Sequence, residues 1–330
     1  MKLSVMLFPF HTDLKEGTYT PAQLIERFYS VGIRAIEPML SNIKDAPEIW
    51  EELWAAAQDL GMVCSCVDVG ANLIGESEAD REQAMATVIG GIELCRTLDC
   101  PVALLPGTRP AEGMSNEEGR RLYSRMLARA AQETADLGVT LSIEDFGVTP
   151  HFTCHSSHVL EVVQAAGPEL KVTWDSGNFM LADEMPVDAW EPLRARTVHV
   201  HIKDWQPAPA DSDAGIRTPS ARRWVGTQIG QGHGQVRECL ELIHAADYDG
   251  WAQMGARGWS WDEVLPWFRK SENQERGENE FHGAGGPLNV SDFPEEHPVS
   301  AALVEACVQA GIPYKKDLND GNQEGVSFFQ

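Results

Sequence analysis

The chain has 330 residues, 43% of them apolar, and a formal charge of −24. That length buries one large core or two smaller ones, and the acidity argues against nucleic acid or an anionic membrane as a partner. No run of 18 apolar residues occurs and no basic stretch leads into an apolar one, so neither a membrane span nor a signal peptide is expected and the location expected is cytoplasmic. The seven cysteines are scattered and odd in number, and they read as reduced core thiols. Cys64 and Cys66 form only a C-x-C, for which a thiol metal site is the minority reading.

Strand and helix signals alternate from the start. KLSVMLF (2–8) predicts a first strand, and PAQLIERFYSVG (21–32) a helix stopped by Gly32. AIEPML (35–40) is a second strand, and PEIWEELWAAAQDLG (47–61) a helix opened by Pro47 and closed by Gly61. VCSCVDV (63–69), PVALLPG (101–107) and the apolar starts of LSIEDFG (141–147), VTWDSGNFM (172–180) and VHVHIKDW (198–205) continue as strands. Helices are expected at 78–99, 116–138, 156–166, 186–195 and 235–246, with a long polar loop at 206–233. A βα beat repeated seven times means a parallel sheet. With an eighth strand at WAQM (251–254), it favours an α/β fold of the (β/α)8 TIM barrel type over an open sheet. The rhythm breaks near residue 250. Residues 276–300 read as loops with one short strand at PLNV, and SAALVEACVQAG (300–311) as a single capped helix. The division expected is a barrel over 1–250 and an irregular, poorly packed or partly disordered extension over 251–330.

Three strands end on chemistry. LSIEDFG, VTWDSGNFM and VHVHIKDW carry Glu144, Asp175 and His201 near their C-terminal ends, spaced 31 and 26 positions apart. In a parallel array that spacing brings all three to one mouth of the sheet. Two carboxylates and an imidazole there suit a divalent ion such as Mn²⁺, Mg²⁺, Co²⁺ or Zn²⁺. Alternation along VHVHIKD puts His199 on the same face as His201, so either could be the ligand. Glu37 after the second strand, His151 and His155 on the loop after Glu144, and Lys203 are candidate substrate contacts. Each has a plain rival as a rim charge, a solvated loop histidine or a salt-bridge partner. Trp174, Trp205 and Trp224 could stack on a sugar or simply pack.

IEPML, SIEDFG, TWDSGN, HVHIKDW and the later GQGHGQV, in that order, resemble the xylose isomerase-like barrels, the sugar (phosphate) isomerase/epimerase family, over residues 1 to about 250. The resemblance implies a TIM barrel with one divalent metal on a Glu, an Asp or Glu, a His and a last Glu from strands five to eight. The first three fall on Glu144, Asp175 and His201, which selects His201 over His199. Counting from Asp249 and Gly250, the fourth falls on Gly255, which offers neither ligand nor base. Glu144 is then the implied catalytic base, and turnover is expected to be impaired.

YDGWAQMGARGWSWDEVLPWFRKSENQERGENEFHGAGGPLNV (248–290) and the residues to the end look like an internal piece of a glucose–methanol–choline (GMC) oxidoreductase. That family needs a GxGxxG flavin turn and a catalytic histidine. Gly230-Gln-Gly232-His-Gly234 is followed by Gln235 and follows no strand, so no FAD is expected, and His282 is given no role. Two unrelated segments joined near 247–251 account for both likenesses. The function expected is a metal-dependent sugar or sugar-phosphate isomerase or epimerase working through an enediolate. Alternatives are a sugar-acid dehydratase or lyase, a C-glycoside-cleaving enzyme, or a metal- or sugar-binding protein without catalysis. The oligomeric state stays open, a homo-oligomer included.

Overall fold

The structure is a computed structural model that describes residues 3–209, 213–243, 260–292, 298–317 and 325–328. It divides into two compact units, Met1–Cys239 and Leu240–Gln330. The expected strand at 251–254, Gly255 and the expected junction near 247–251 lie outside the described residues.

In the first unit, parallel strands alternate with helices. β1 (Ser4–Met6), β2 (Ala35–Glu37) and β3 (Val63–Cys64) form one parallel run. β4 (Val67–Asp68), β5 (Val102–Leu105), β6 (Thr140–Glu144), β7 (Lys171–Asp175) and β8 (Thr197–His201) form the other. A parallel bridge between Met39 and Asp68 joins them, with the Asp68 amide donating to the Pro38 carbonyl at 2.9 Å. β3 and β4 are thus two halves of one barrel strand, first paired with β2 and then with β5. β6, β7 and β8 are the fifth, sixth and seventh strands of the curled parallel sheet. β5 is apolar and buried along its whole length, as a strand covered on both faces should be.

Three of the covering helices open on the same device. Thr20 with Gln23, Ser77 with Asp80 and Ser115 with Glu118 make reciprocal capping boxes at the starts of Pro21–Ser30, Glu78–Thr97 and Asn116–Glu133. Each cap of this kind stabilises by about 1 kcal/mol. The apolar stripes of Pro21–Ser30 and Pro47–Asp59 close over β2 through Leu24, Ile25, Phe28, Leu53 and Ala57. Under β7, Trp174 is fully buried and meets the Trp190 ring edge-on at 5.3 Å.

The segment 206–233, expected as a loop, holds an antiparallel sheet. β9 (Trp205–Pro207), β10 (Ile216–Arg217) and β11 (Arg223–Gly226) pair in the order β10-β11-β9. Its strands are two to four residues long and carry Gln, Pro and Arg, so no alternation marks them. Short helices at His11–Lys15 and Leu40–Asp45 were also not expected. The helix expected at 235–246 is described over 236–243.

The second unit contains the helix Trp261–Ser271, a parallel pair of β12 (Glu272–Gln274) and β13 (Leu288–Val290), and the helix Pro298–Gln309. The strand expected at PLNV is β13. His282 is buried there, its Nδ1 2.8 Å from Glu272 and its Nε2 3.2 Å from Asp317.

Candidate metal centre

Parallel strands deliver their C-terminal residues to one mouth, and register decides which of them meet. Asp175 lies opposite His201 across β7 and β8, and Glu144 opposite Thr173 across β6 and β7. Glu144, Asp175 and His201 are all buried, and one ligand atom from each lies within 4.8 Å of the others. His201 Nδ1 is 2.7 Å from Glu144 Oε1 and 3.8 Å from Asp175 Oδ2. Two residues earlier on the same faces, Ser142 and Thr173 share a hydroxyl hydrogen bond of 2.8 Å that ties β6 to β7 beneath the cluster. Two hard oxygens and one imidazole nitrogen at this separation fit a divalent ion.

The other face of the His201 ring points at Glu37. Its Nε2 is 2.9 Å from Glu37 Oε1, while Glu37 Oε2 lies 2.9 Å from His199 Nε2. Glu37 was expected to touch substrate. It is instead 1% exposed and gives both oxygens to imidazoles, which orients the His201 ring with Nδ1 toward Glu144 and Asp175. Sequence order hid this link, because the partners stand 162 and 164 residues apart. The signal that could have found it was the shared face of His199 and His201.

Burial alone would lower the proton affinity of His201. The Glu37 charge and the bonds to Glu144 and Glu37 outweigh it and raise His201 well above the usual imidazole value. Burial alone would raise Glu37 and Glu144. The His201 charge and the bonds from His199 and His201 hold Glu37 well below the usual carboxylate range, and the His201 bond and Lys203 charge lower Glu144. Lys203 forms an ion pair with Asp175 and stands 3.8 Å from Glu144 Oε1. Burial would lower the Lys203 ammonium, but the Asp175 and Glu144 charges raise it. Asp145, missed in the sequence, is fully buried beside Glu144. Its Oδ1 accepts from the Asp175 amide at 2.8 Å, and burial with the Asp175 charge pushes its carboxyl well up.

The other expected contacts fall elsewhere. His151 is exposed on the turn after β6, near His158 and outside the residues that meet at the cluster. His155 caps the helix Ser156–Ala166 by accepting from the Ser157 amide at 3.2 Å. Trp174 packs in the core. The glycines of 230–234 bind a carboxylate of the chain itself. Asp204 Oδ2 accepts from the amides of Gly230 (3.0 Å) and Gly232 (2.7 Å), and Oδ1 from Trp205 (2.9 Å) and Gly234 (2.8 Å). A Cβ on Gly232 would stand 2.3 Å from Asp204 Oδ1, so glycine is what allows the cradle to close. This cradle anchors the far end of the antiparallel sheet beside Lys203.

The sequence model described as the xylose isomerase-like TIM barrel matches residues 25–270, and that of GMC oxidoreductases matches residues 243–330. Human mitochondrial choline dehydrogenase is 41% identical over 110 residues, which is 33% of this chain and 18% of that protein. The oxygen-dependent choline dehydrogenase of Paraburkholderia phytofirmans is 32% identical over 166 residues, 50% of this chain and 27% of that protein. The chain therefore spans less than a third of the length of these curated relatives.

Among solved structures, AsbF of Bacillus anthracis, described as the probable 3-DHS dehydratase, superposes with a TM-score of 0.58 at 17% identity, over 74% of this chain and 89% of that one. D-psicose 3-epimerase of Clostridium cellulolyticum, solved with D-tagatose, gives 0.56 at 15%, over 76% and 82%. A xylose isomerase-like barrel of Mycobacterium smegmatis in complex with magnesium gives 0.54 at 14%, over 75% and 87%. At these identities the likeness shows the fold. Among the described residues no helix is long and apolar enough to cross a membrane.

Proposed function

The chain belongs to the xylose isomerase-like TIM barrel family over residues 25–270, and on that footing we propose that its barrel is a metal-dependent isomerase or epimerase of a sugar or sugar phosphate. The observation that carries the reading is the convergence of Glu144, Asp175 and His201 within 4.8 Å at the ends of three successive parallel strands. These three side chains would hold the metal. When bound, a divalent ion supplies a Lewis acid for adjacent oxygens of a hydroxy-ketone.

The remaining work falls to the chain. Glu144 is kept ionised, so it can accept a proton from the carbon next to a carbonyl. Glu37 fixes the ring of His201. Lys203 places an ammonium beside Glu144 and Asp175, where it balances their charge and can face a substrate oxygen or phosphate. Epimerisation also needs an acid on the opposite substrate face, and the residue aligned with that role is Gly255. Turnover is therefore slow, and proton exchange is the step best preserved. The proposed division assigns this chemistry to residues 1–250, with 251–330 an appended segment of GMC type. A second reading, a binding protein without catalysis, is favoured by that same glycine.

The test is deuterium exchange. The protein is loaded with Mn²⁺ or Co²⁺ and held with ketoses and ketose phosphates in heavy water, and label at the carbon beside the carbonyl is read by NMR. Metal-dependent exchange is expected, and Glu144→Gln should lower it by roughly 10²–10⁴-fold. Tight metal binding with no exchange into any ketose would overturn the catalytic reading and support the binding protein.

A further inference from the structure

Beneath the cluster just described, a second set of ligand-type atoms converges. Glu37, Cys66 and His199 each present one such atom, all within 4.8 Å of one another. Cys66 is fully buried between β3 and β4, and its Sγ is the only sulfur of the set. His199 sits two residues before His201 on the same face of β8, and its Nε2 lies 2.9 Å from Glu37 Oε2. Asp68, two residues past Cys66 and 2% exposed, adds an independent observation. Its Oδ1 is buried with no hydrogen-bond partner among the described residues.

We propose that Glu37, Cys66 and His199 form a second divalent-metal site, with the buried Asp68 a candidate for a fourth ligand, and that it takes a thiophilic ion such as Zn²⁺. Sulfur, imidazole and carboxylate are the donors zinc prefers, at about 2.3 Å for sulfur and about 2.0–2.2 Å for nitrogen and oxygen. Ligand atoms around such an ion stand a little over 3 Å apart, so the present Glu37–His199 separation needs only a small opening. The first site has no sulfur, which separates the two by donor type. Glu37 Oε1 remains on His201 Nε2, so an ion in the lower site would fix the carboxylate that orients a ligand of the upper one. Binding releases the Cys66 thiol proton. The inference stands whatever reaction the first site performs.

Cobalt distinguishes the sites by spectrum. Titrating metal-free protein with Co²⁺ should take up two equivalents and produce a near-ultraviolet sulfur-to-cobalt charge-transfer band. Cys66→Ser should lose the whole band and one equivalent, while Glu144→Gln should lose the other equivalent and keep the band. A wild-type protein that binds Co²⁺ without the band overturns the proposal, as does a band that survives in Cys66→Ser. Should Cys66→Ser fail to fold, X-ray absorption on the zinc-loaded wild type decides. A sulfur shell at about 2.3 Å supports the site, and a shell of oxygen and nitrogen alone refutes it.

Discussion

The Asp204 cradle allows a sharp perturbation. In Asp204→Asn the side chain keeps its shape but loses one acceptor. Each carboxylate oxygen now receives two backbone amides, Gly230 and Gly232 on Oδ2, Trp205 and Gly234 on Oδ1. Whichever way the new amide turns, its NH₂ faces two N–H donors. Flipping cannot rescue it. Two charge-assisted bonds are lost, each worth about 1.5–3 kcal/mol, and two amides are left without their acceptor. Partial relaxation brings the expected loss to about 3–5 kcal/mol, a large share of a domain's usual 5–15 kcal/mol. For a unit of this size that is a fall in Tm of roughly 6–20 °C. Circular dichroism melting gives the Tm, and hydrogen exchange should show the amides of Gly230, Gly232 and Gly234 losing protection first. An unchanged Tm together with unchanged protection of those three amides would refute the reasoning.

Gly177 lies where a Cβ would stand 2.5 Å from Trp205 Nε1 and 2.6 Å from Lys203 Cβ. Gly177→Ala should cost about 1–3 kcal/mol by overpacking and displace Lys203 from Asp175, read as a lower Tm and altered tryptophan fluorescence. Glu37→Gln removes the charged partner of His201 Nε2 and should weaken metal at Glu144, Asp175 and His201 by about 10–100-fold in a competition titration, an affinity within twofold of wild type being the contrary result. The pH dependence of the metal-free barrel follows from the same network. His201 holds its proton more tightly folded than unfolded, so its stabilising share is complete below the unfolded value of 6.5 and is lost as pH rises through the raised folded value. Asp68 and Asp145, also raised, act in the same direction from their unfolded value of 3.8. Glu37 and Glu144, held down, contribute above 4.5 and lose that share as pH falls through their depressed values. Metal-free stability should therefore decline above pH 6.5, and the Tm gain on adding Mn²⁺ should grow with pH. A gain that shrinks between pH 6 and 8.5 would contradict this.

The barrel was legible because short apolar runs such as Val102–Leu105 alternate with helices that carry strong boundaries, such as Pro47 at the start of Pro47–Asp59 and Ser115 before Asn116–Glu133. The convergence of Glu144, Asp175 and His201 followed from strand ends and parallel topology, which need no knowledge of long-range packing. Glu37 was singled out, but its bonds to His199 and His201 were not foreseen. Its position at a strand end was readable, but which side chain it would meet across the barrel depends on curvature and closure. The antiparallel sheet beyond β8 went unread because Trp205–Pro207 and Arg223–Gly226 pair through backbone and through Asp204 rather than through alternating apolar faces. The glycine run of 230–234 was read as part of the barrel resemblance and tested as a nucleotide turn. That its amides serve a carboxylate 26 to 30 residues upstream is a tertiary fact.

The mouth of the barrel gathers more negative charge than it can hold alone. Glu37, Asp68, Glu144, Asp145 and Asp175 are all buried there, and among the described residues Lys203 and the imidazole of His201 bring positive charge to them. Burying ionised carboxylates without compensation costs several kcal/mol each, so part of the set must be protonated or a further cation must enter. Asp68 and Asp145 take the first course, their carboxyls pushed well up by burial. The ion pair of Lys203 with Asp175 and the imidazolium of His201 between Glu37 and Glu144 are the chain's own substitutes for the second. A divalent ion held by Glu144, Asp175 and His201, as proposed, would have to displace Lys203 from Asp175 and the Nδ1 proton from His201. Under that competition the metal affinity of the proposed centre would be set as much by the surrounding charges as by the three side chains themselves.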